Sequence, residues 1–332
     1  MYDSFYSLSG MPFQLTPDSR FYFGSEQHRK AMAFLQYGLS QEEGFVVVTG
    51  EIGAGKTTLV EQLLATLDPD EYVAARVVTT QLNGYDMLRM IAAGFNIEIG
   101  GMDKAAVIGR LSEHFVKAKD RRQRLLVIVD EAQSLTLEAV EELRMLSNLA
   151  PGAKAPFQGI FLGQPEFRTA LSSPELQQLR QRVIASCHLG ALSADDTRQY
   201  VEHRLKRVGW IEDPKISHGA FEEIYRYTGG IPRRINTLVS RLLLLGYLEE
   251  RHEIDVPAVI NVAQEIADEL GARTTLQPRI PEEMDIRLKS AQTDGELLSR
   301  LATLERRSEK HGRAIMRVLD IALRYLPTGD GR

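Results

Sequence analysis

Eight consecutive residues, Gly50-Glu51-Ile52-Gly53-Ala54-Gly55-Lys56-Thr57, carry the strongest chemical signal in this 332-residue chain. They satisfy the spacing G-x-x-x-x-G-K-[ST] at every fixed position. Glycines let a backbone wrap tightly and turn its N–H groups toward phosphate oxygens. A helix starting near Lys56 would add the positive end of its dipole. Lys56 is then expected on the β- and γ-phosphates, and the Thr57 hydroxyl on Mg²⁺, with Thr58 following in the same phosphate-binding run. The spacing implies a nucleoside triphosphate as ligand.

Four further sites fit the same chemistry. Residues 125–131 read Leu-Leu-Val-Ile-Val-Asp-Glu, an apolar strand ending in two acids. Asp130 is expected to hold Mg²⁺ and help fix Thr57, and Glu131 to polarise the attacking water. Two solvated acids capping a strand would be the bland reading of the pair in isolation. Gln164, before Pro165, ends the apolar run 157–163 and is expected to reach the γ-phosphate or the water, the role called sensor 1. In 176–183, LQQLRQRV, Arg182 first and Arg180 second are candidates for an arginine acting on a neighbouring subunit's γ-phosphate. Two cations favourably placed at a helix C-terminus explain the same residues. In Gly229-Gly230-Ile231-Pro232-Arg233-Arg234, a helix start places Arg233 where cations are disfavoured, so a phosphate facing it is expected, as in a sensor 2.

Several kinds of element must position these groups. Residues 1–43 are an aromatic-rich segment (Tyr2, Phe5, Tyr6, Phe13, Phe21, Tyr22, Phe23) followed by an amphipathic helix over 28–39. Over 44–190 the pattern alternates. After the strand at 45–48 come a helix at 57–67, a strand at 72–80, helices at 84–95 and 103–119, a strand at 125–129, a helix at 136–149 and a strand at 157–163. That alternation predicts an α/β fold, a parallel sheet covered on both faces. From 191 to 270 the strand signals fade into helices at 194–208, 217–227, 232–250 and 256–270, an all-α lid. Residues 271–295, polar and holding Pro278 and Pro281, read as a linker. Across 296–326 a heptad stripe runs from Leu297 to Tyr325. It predicts a coiled-coil helix, with a single amphipathic helix on protein or lipid as the other reading.

The net charge of −5 argues against a dedicated nucleic-acid binder. One cysteine, Cys187, excludes an intrachain disulfide and fits a reducing compartment. The first twenty residues lack a basic region followed by an apolar core, so no signal peptide is expected, and the apolar runs are too short to span a bilayer. Seven scattered histidines give no metal-ligand spacing.

The ordered set FYSLSGMPFQLTPDSRFYF, GFVVVTGEIGAGKTTL, LLVIVDEAQSL, FLGQPEF, LRQRV, DDTRQYVEHRL and GGIPRRIN resembles the AAA+ ATPases of the ExeA/GspA secretion group over about residues 1–270. Within the group it is most similar to the ATPase associated with the exosortase XrtA and exopolysaccharide export, then to the pilus-biogenesis ATPase MshM. The resemblance implies an αβα P-loop domain with a helical lid, ATP and Mg²⁺ as cofactors, and hydrolysis by a homo-oligomeric ring or spiral. It also implies envelope-assembly partners and a cytoplasmic site of action, peripheral at the inner membrane. ExeA-type proteins continue into a transmembrane helix and a peptidoglycan-binding domain; a linker and heptad stripe stand here instead, so direct peptidoglycan binding is not expected. Transposition ATPases of the TniB/TnsC kind share the core, which keeps a nucleotide-dependent DNA-binding role as the alternative.

Overall fold

The computed structural model describes residues 2–269 apart from 17, 79–81 and 150–154. The linker and heptad helix expected over 271–295 and 296–326 lie outside the described residues.

A one-turn helix α1 (Tyr2–Phe5) precedes α2 (Glu26–Ser40), β1 (Phe45–Gly50), α3 (Lys56–Thr66), β2 (Tyr72–Val78), α4 (Gly84–Gly94) and α5 (Lys104–Asp120). Then come β3 (Arg124–Asp130), α6 (Leu137–Leu146), β4 (Gln158–Gly163), and the short α7 (Pro165–Ala170) and α8 (Gln177–Arg180), followed by β5 (Val183–Leu189). The five strands form one parallel sheet in the order β2-β3-β4-β1-β5. Central strands buried on both faces need unbroken apolar runs, and β1 and β4 are buried at every position. Alternate side chains feed two cores. Phe45, Val47, Val127, Val129 and Phe161 pack with Met87, Ile91, Leu111 and Leu143 from α4, α5 and α6. Val46, Val48, Leu126, Ile128 and Leu162 pack with Leu35 of α2 and with Leu59 and Leu63 of α3. These are the layers of the expected αβα sandwich.

β5 is the main departure. The sequence showed only an apolar stretch after the arginine pair, because Ser186, Cys187 and His188 break its apolar character. An edge strand covered on one face by α2 tolerates this; Ser186 and His188 are exposed. The helix expected over 136–149 ends at Leu146, where the Ser147 amide caps it through Leu143 O and Met145 O.

The lid comprises α9 (Ala194–Lys206), β6 (Lys215–Ile216), α10 (His218–Thr228), α11 (Pro232–Leu248), β7 (Glu253–Ile254) and α12 (Val256–Glu269). Its four helices match those expected to within two residues; two short strands, paired in parallel, are additional. Ser193 and Ser217 cap α9 and α10 by accepting an amide N–H two or three residues into each helix, which fixes where they start. Gly229, at φ +60, ends α10. The lid core is not made by the lid alone. Tyr2, Tyr6, Leu8, Phe13 and Phe21 are buried with Tyr200, Leu205, Phe221, Ile235 and Val259. The N-terminal region, 1–43, is thus divided: its aromatic half fills the lid core, and its helix α2 covers the sheet. Among the described residues no helix is long and apolar enough to cross a membrane.

Candidate active site

The C-terminal ends of β1 and β3 deliver polar groups to one cleft of about 330 Å³, and Gln164 at the end of β4 stands behind it, bonded to Glu131. The loop after β1 reaches α3 through Gly53 at φ +83 and Gly55 at φ +97, backbone that side-chain-bearing residues rarely adopt. At Gly53 space adds a second reason: a Cβ would lie 2.3 Å from that of Arg233. The lid therefore closes directly onto the loop, and the Arg233 amide donates to Gly53 O at 3.2 Å. Lys56 is buried, and its ammonium donates to Gly50 O at 2.7 Å and Glu51 O at 3.0 Å. Burial pulls its pKa down, while the carboxylates of Glu131, Asp130, Glu51 and Glu166 push it back up.

Thr57 donates its hydroxyl to Asp130 Oδ2 at 3.0 Å, and Asp130 Oδ1 accepts the Glu131 amide at 3.0 Å. Glu131 sits at φ +52, a strained setting for a residue with a side chain. Gln133 Nε2 donates to Glu131 Oε2 at 2.5 Å, and Gln164 Nε2 donates to the same oxygen at 3.2 Å. Gln133 Oε1 in turn accepts the Gln164 amide at 3.0 Å. The carboxylate is thereby held between two strand ends. Lys56, Thr57, Thr58, Asp130, Glu131 and Arg233 all line the cleft, as do Ile52, Gly53 and Gly55. Gly50 and Glu51 supply the two carbonyls under Lys56, and Ala54 is buried in the turn.

The arginine pair is elsewhere. Arg180 ends a single helical turn and is exposed. Arg182 lies beyond that turn, so the expectation that both end a helix is corrected. Val183 already starts a strand, and the Arg182 guanidinium donates to Ser147 Oγ at 2.9 Å and to Asn148 Oδ1. With Arg144, Gln177, Gln178 and Gln181 it lines a separate open depression.

Three features of the cleft escaped the sequence reading. The first is its roof: Gln14, Leu15, Thr16, Phe21, Tyr22 and Phe23 line it from the N-terminal segment. The second is Arg204, a buried cation that donates to Pro12 O at 2.6 Å, Tyr200 Oη at 2.7 Å and Asn236 Oδ1 at 3.3 Å. Its guanidinium also lies 4.8 Å from the Phe21 ring centroid. The third is His28, whose Nδ1 is 2.7 Å from Ser25 Oγ. Its Nε2 stands 3.0 Å from where a Cβ on Gly55 would be. Burial pushes His28 down to about 4, so it is neutral at pH 7. The aromatic-rich first forty residues were the visible signal for the roof; a lone buried Arg or His has none.

Residues 39–171 match the family profile described as AAA domain. That span holds the phosphate loop together with Asp130, Glu131 and Gln164. The fold agrees with P-loop proteins of known structure. The ORC2 protein of Aeropyrum pernix, solved in ADPNP–ADP complexes, superposes with a TM-score of 0.56 at 18% identity, over 72% of this chain and 66% of that one. Cdc6p of Pyrobaculum aerophilum gives 0.56 at 14% identity, over 86% and 88%. These likenesses concern fold alone. In sequence this chain is 37% identical over 258 residues to General secretion pathway protein A of Aeromonas hydrophila. That alignment covers 76% of this chain and 46% of the relative, so the chain spans about half of that protein's length.

Proposed function

We propose that this chain binds ATP with Mg²⁺, hydrolyses it as a homo-oligomer, and uses turnover to drive a bacterial secretion assembly from the cytoplasmic side of the envelope. One observation carries the catalytic part: Glu131 is fixed by Gln133 and Gln164 beside the Thr57–Asp130 pair, under Lys56 and Arg233. The loop amides and Lys56 take the β- and γ-phosphates. Glu131 polarises the attacking water, Gln164 holds that carboxylate and the water in line, and Arg233 brings the lid's positive charge to the phosphates. The Thr57 hydroxyl and Asp130 carboxylate are hard oxygen ligands of the kind Mg²⁺ takes alongside phosphates. Bound there, the ion would neutralise charge developing on the transferred group.

The oligomer would complete the site with an arginine from a neighbour. Arg180 is the better placed of the pair, since Arg182 would have to leave Ser147 and Asn148. Similarity to a secretion-pathway protein supports the envelope role. Within that role, the ordered motifs favour exosortase-linked exopolysaccharide export, then pilus assembly, with peripheral contact at the inner membrane. The net charge of −5 weighs against DNA as the working partner.

The test is Glu131→Gln beside Lys56→Ala. Glu131→Gln should bind ATP as wild type does and lose hydrolysis by about 10²–10⁴-fold, whereas Lys56→Ala should lose binding. Hydrolysis at the wild-type rate by Glu131→Gln would overturn the reading.

A further inference from the structure

Arg76 plays no part in the reading above, yet its guanidinium touches the carboxylate at the centre of it. β2 is the edge strand beside β3, with Arg76 in register with Ile128 and Val78 with Asp130. Side chains two positions apart along a strand share a face, so Arg76 projects on the same side as Asp130. That side meets α3, where Thr57 and Glu61 are one turn apart. The Arg76 guanidinium lies 3.4 Å from Asp130 Oδ2 and 3.3 Å from Glu61 Oε1. Asp130 Oδ2 therefore faces two donors, the Thr57 hydroxyl at 3.0 Å and Arg76. This is the oxygen that lies beside Thr57, on the side from which a shared cation would be held.

We propose that Arg76 is a built-in competitor of the divalent metal: it holds Asp130 Oδ2 before metal–nucleotide binds and yields that oxygen when Mg²⁺ arrives, thereby setting the metal concentration at which nucleotide is retained. The proposal rests on the ATP–Mg²⁺ reading above. Glu61, Asp130 and Glu131 gather negative charge beside the phosphate loop, and without a metal that charge needs a cation. Arg76 supplies one. It is built to let go, because its side chain is 41% exposed and half of its fork stays anchored on Glu61. A half-exposed ion pair is weak, so a dication on the same oxygen displaces it at little cost. Two cations sharing that oxygen repel each other, so Arg76 lowers metal affinity even where it does not block the metal outright.

The experiment follows a fluorescent ADP analogue binding to the full chain across a Mg²⁺ series, for wild type, Arg76→Gln and Arg76→Lys. Arg76→Gln should retain nucleotide at about two- to five-fold lower free Mg²⁺, the size expected for an exposed pair. Arg76→Lys keeps the charge and should stay closer to wild type. An unchanged Mg²⁺ midpoint in Arg76→Gln, or a higher one, overturns the competitor role while leaving nucleotide binding intact. Failure of the wild-type protein to bind nucleotide at any Mg²⁺ concentration removes the ATP–Mg²⁺ reading and the proposal together.

Discussion

The floor and the roof of the cleft are built on different principles. The floor is the carboxyl edge of a parallel sheet, where Asp130, Glu131 and Gln164 stand at the ends of strands fixed on both faces by apolar packing and Lys56 and Thr57 open the helix after β1. Each polar group there is one or two residues from a strand or helix end, so its position is inherited from the sheet. The roof is aromatic side chains of the N-terminal segment sunk into a helical lid, tied together by one buried guanidinium. The floor can lose a functional side chain without losing its shape. In the roof, the residues that line the cleft are also the residues that hold it up.

Changes that sharpen this comparison differ in size. The largest is expected at the arginine proposed to act on a neighbouring subunit. Arg180→Ala should lower turnover of the assembled protein by about 10³-fold, the low end for an arginine acting in trans, with nucleotide affinity and melting temperature unchanged. Arg182→Ala should cost less turnover and some stability, since Ser147 and Asn148 lose a partner. Steady-state hydrolysis with a thermal melt on each variant checks both, and the reverse order of effects would exchange the two roles. Next is Arg204→Gln in the roof. It strips a charged donor from Pro12 O and Tyr200 Oη in a buried setting, which costs about 2–4 kcal/mol. Tm should fall by several degrees and nucleotide affinity with it. A variant that melts like wild type but still binds nucleotide poorly would mean Arg204 serves the ligand and not the roof.

The floor was legible in the sequence because its chemistry is local: a loop, a strand end and a turn, each with fixed spacing. Asp130 and Gln164 could be placed at the ends of their strands before any contact was known. Arg233 was legible for a different reason, since a cation in the first turn of a helix needs an explanation. The roof was not legible. Arg204 and Pro12 are 192 residues apart, and nothing in either stretch signals the other. β5 was missed because its alternation is that of an edge strand, with exposed Ser186 and His188. Arg182 was misplaced because the helix before it is a single turn.

His28 joins the two regions, touching Tyr22 of the roof and the Gly55 end of the phosphate loop. Its pKa in the folded protein, about 4, is below the unfolded value near 6.5. The unfolded chain therefore binds the extra proton first as pH falls. The stability due to neutral His28 is complete above about pH 6.5 and is lost between there and pH 4. Between pH 7.5 and pH 5 the loss is about 2 kcal/mol. Burial lowers His114 and His203 in the same direction, so the comparison must be with His28→Gln. That variant should show a shallower decline in denaturant midpoint over this range. An identical slope in both proteins would mean His28 is not the buried neutral link between roof and loop.

The smallest effect tests the floor's claim to keep its shape. Gln133 bonds both the Glu131 carboxylate and the Gln164 amide. Gln133→Ala removes both contacts but leaves Glu131 attached to Asp130 and Gln164. Losing a supporting partner of this kind costs about 10- to 100-fold in activity elsewhere, and a similar loss of turnover is expected here. Nucleotide affinity should stay within about twofold, because the side-chain bonds of Gln133 go to Glu131 and Gln164, outside residues 50–57. Gln133→Glu should be worse than Gln133→Ala, since it sets a second carboxylate against Glu131 where a donor stood. Turnover by Gln133→Glu equal to or above that of Gln133→Ala would show that Glu131 is positioned by Gln164 and its strained backbone alone. If either variant lowered Tm as far as Arg204→Gln does, floor and roof would share one mode of construction and the contrast between them would fail.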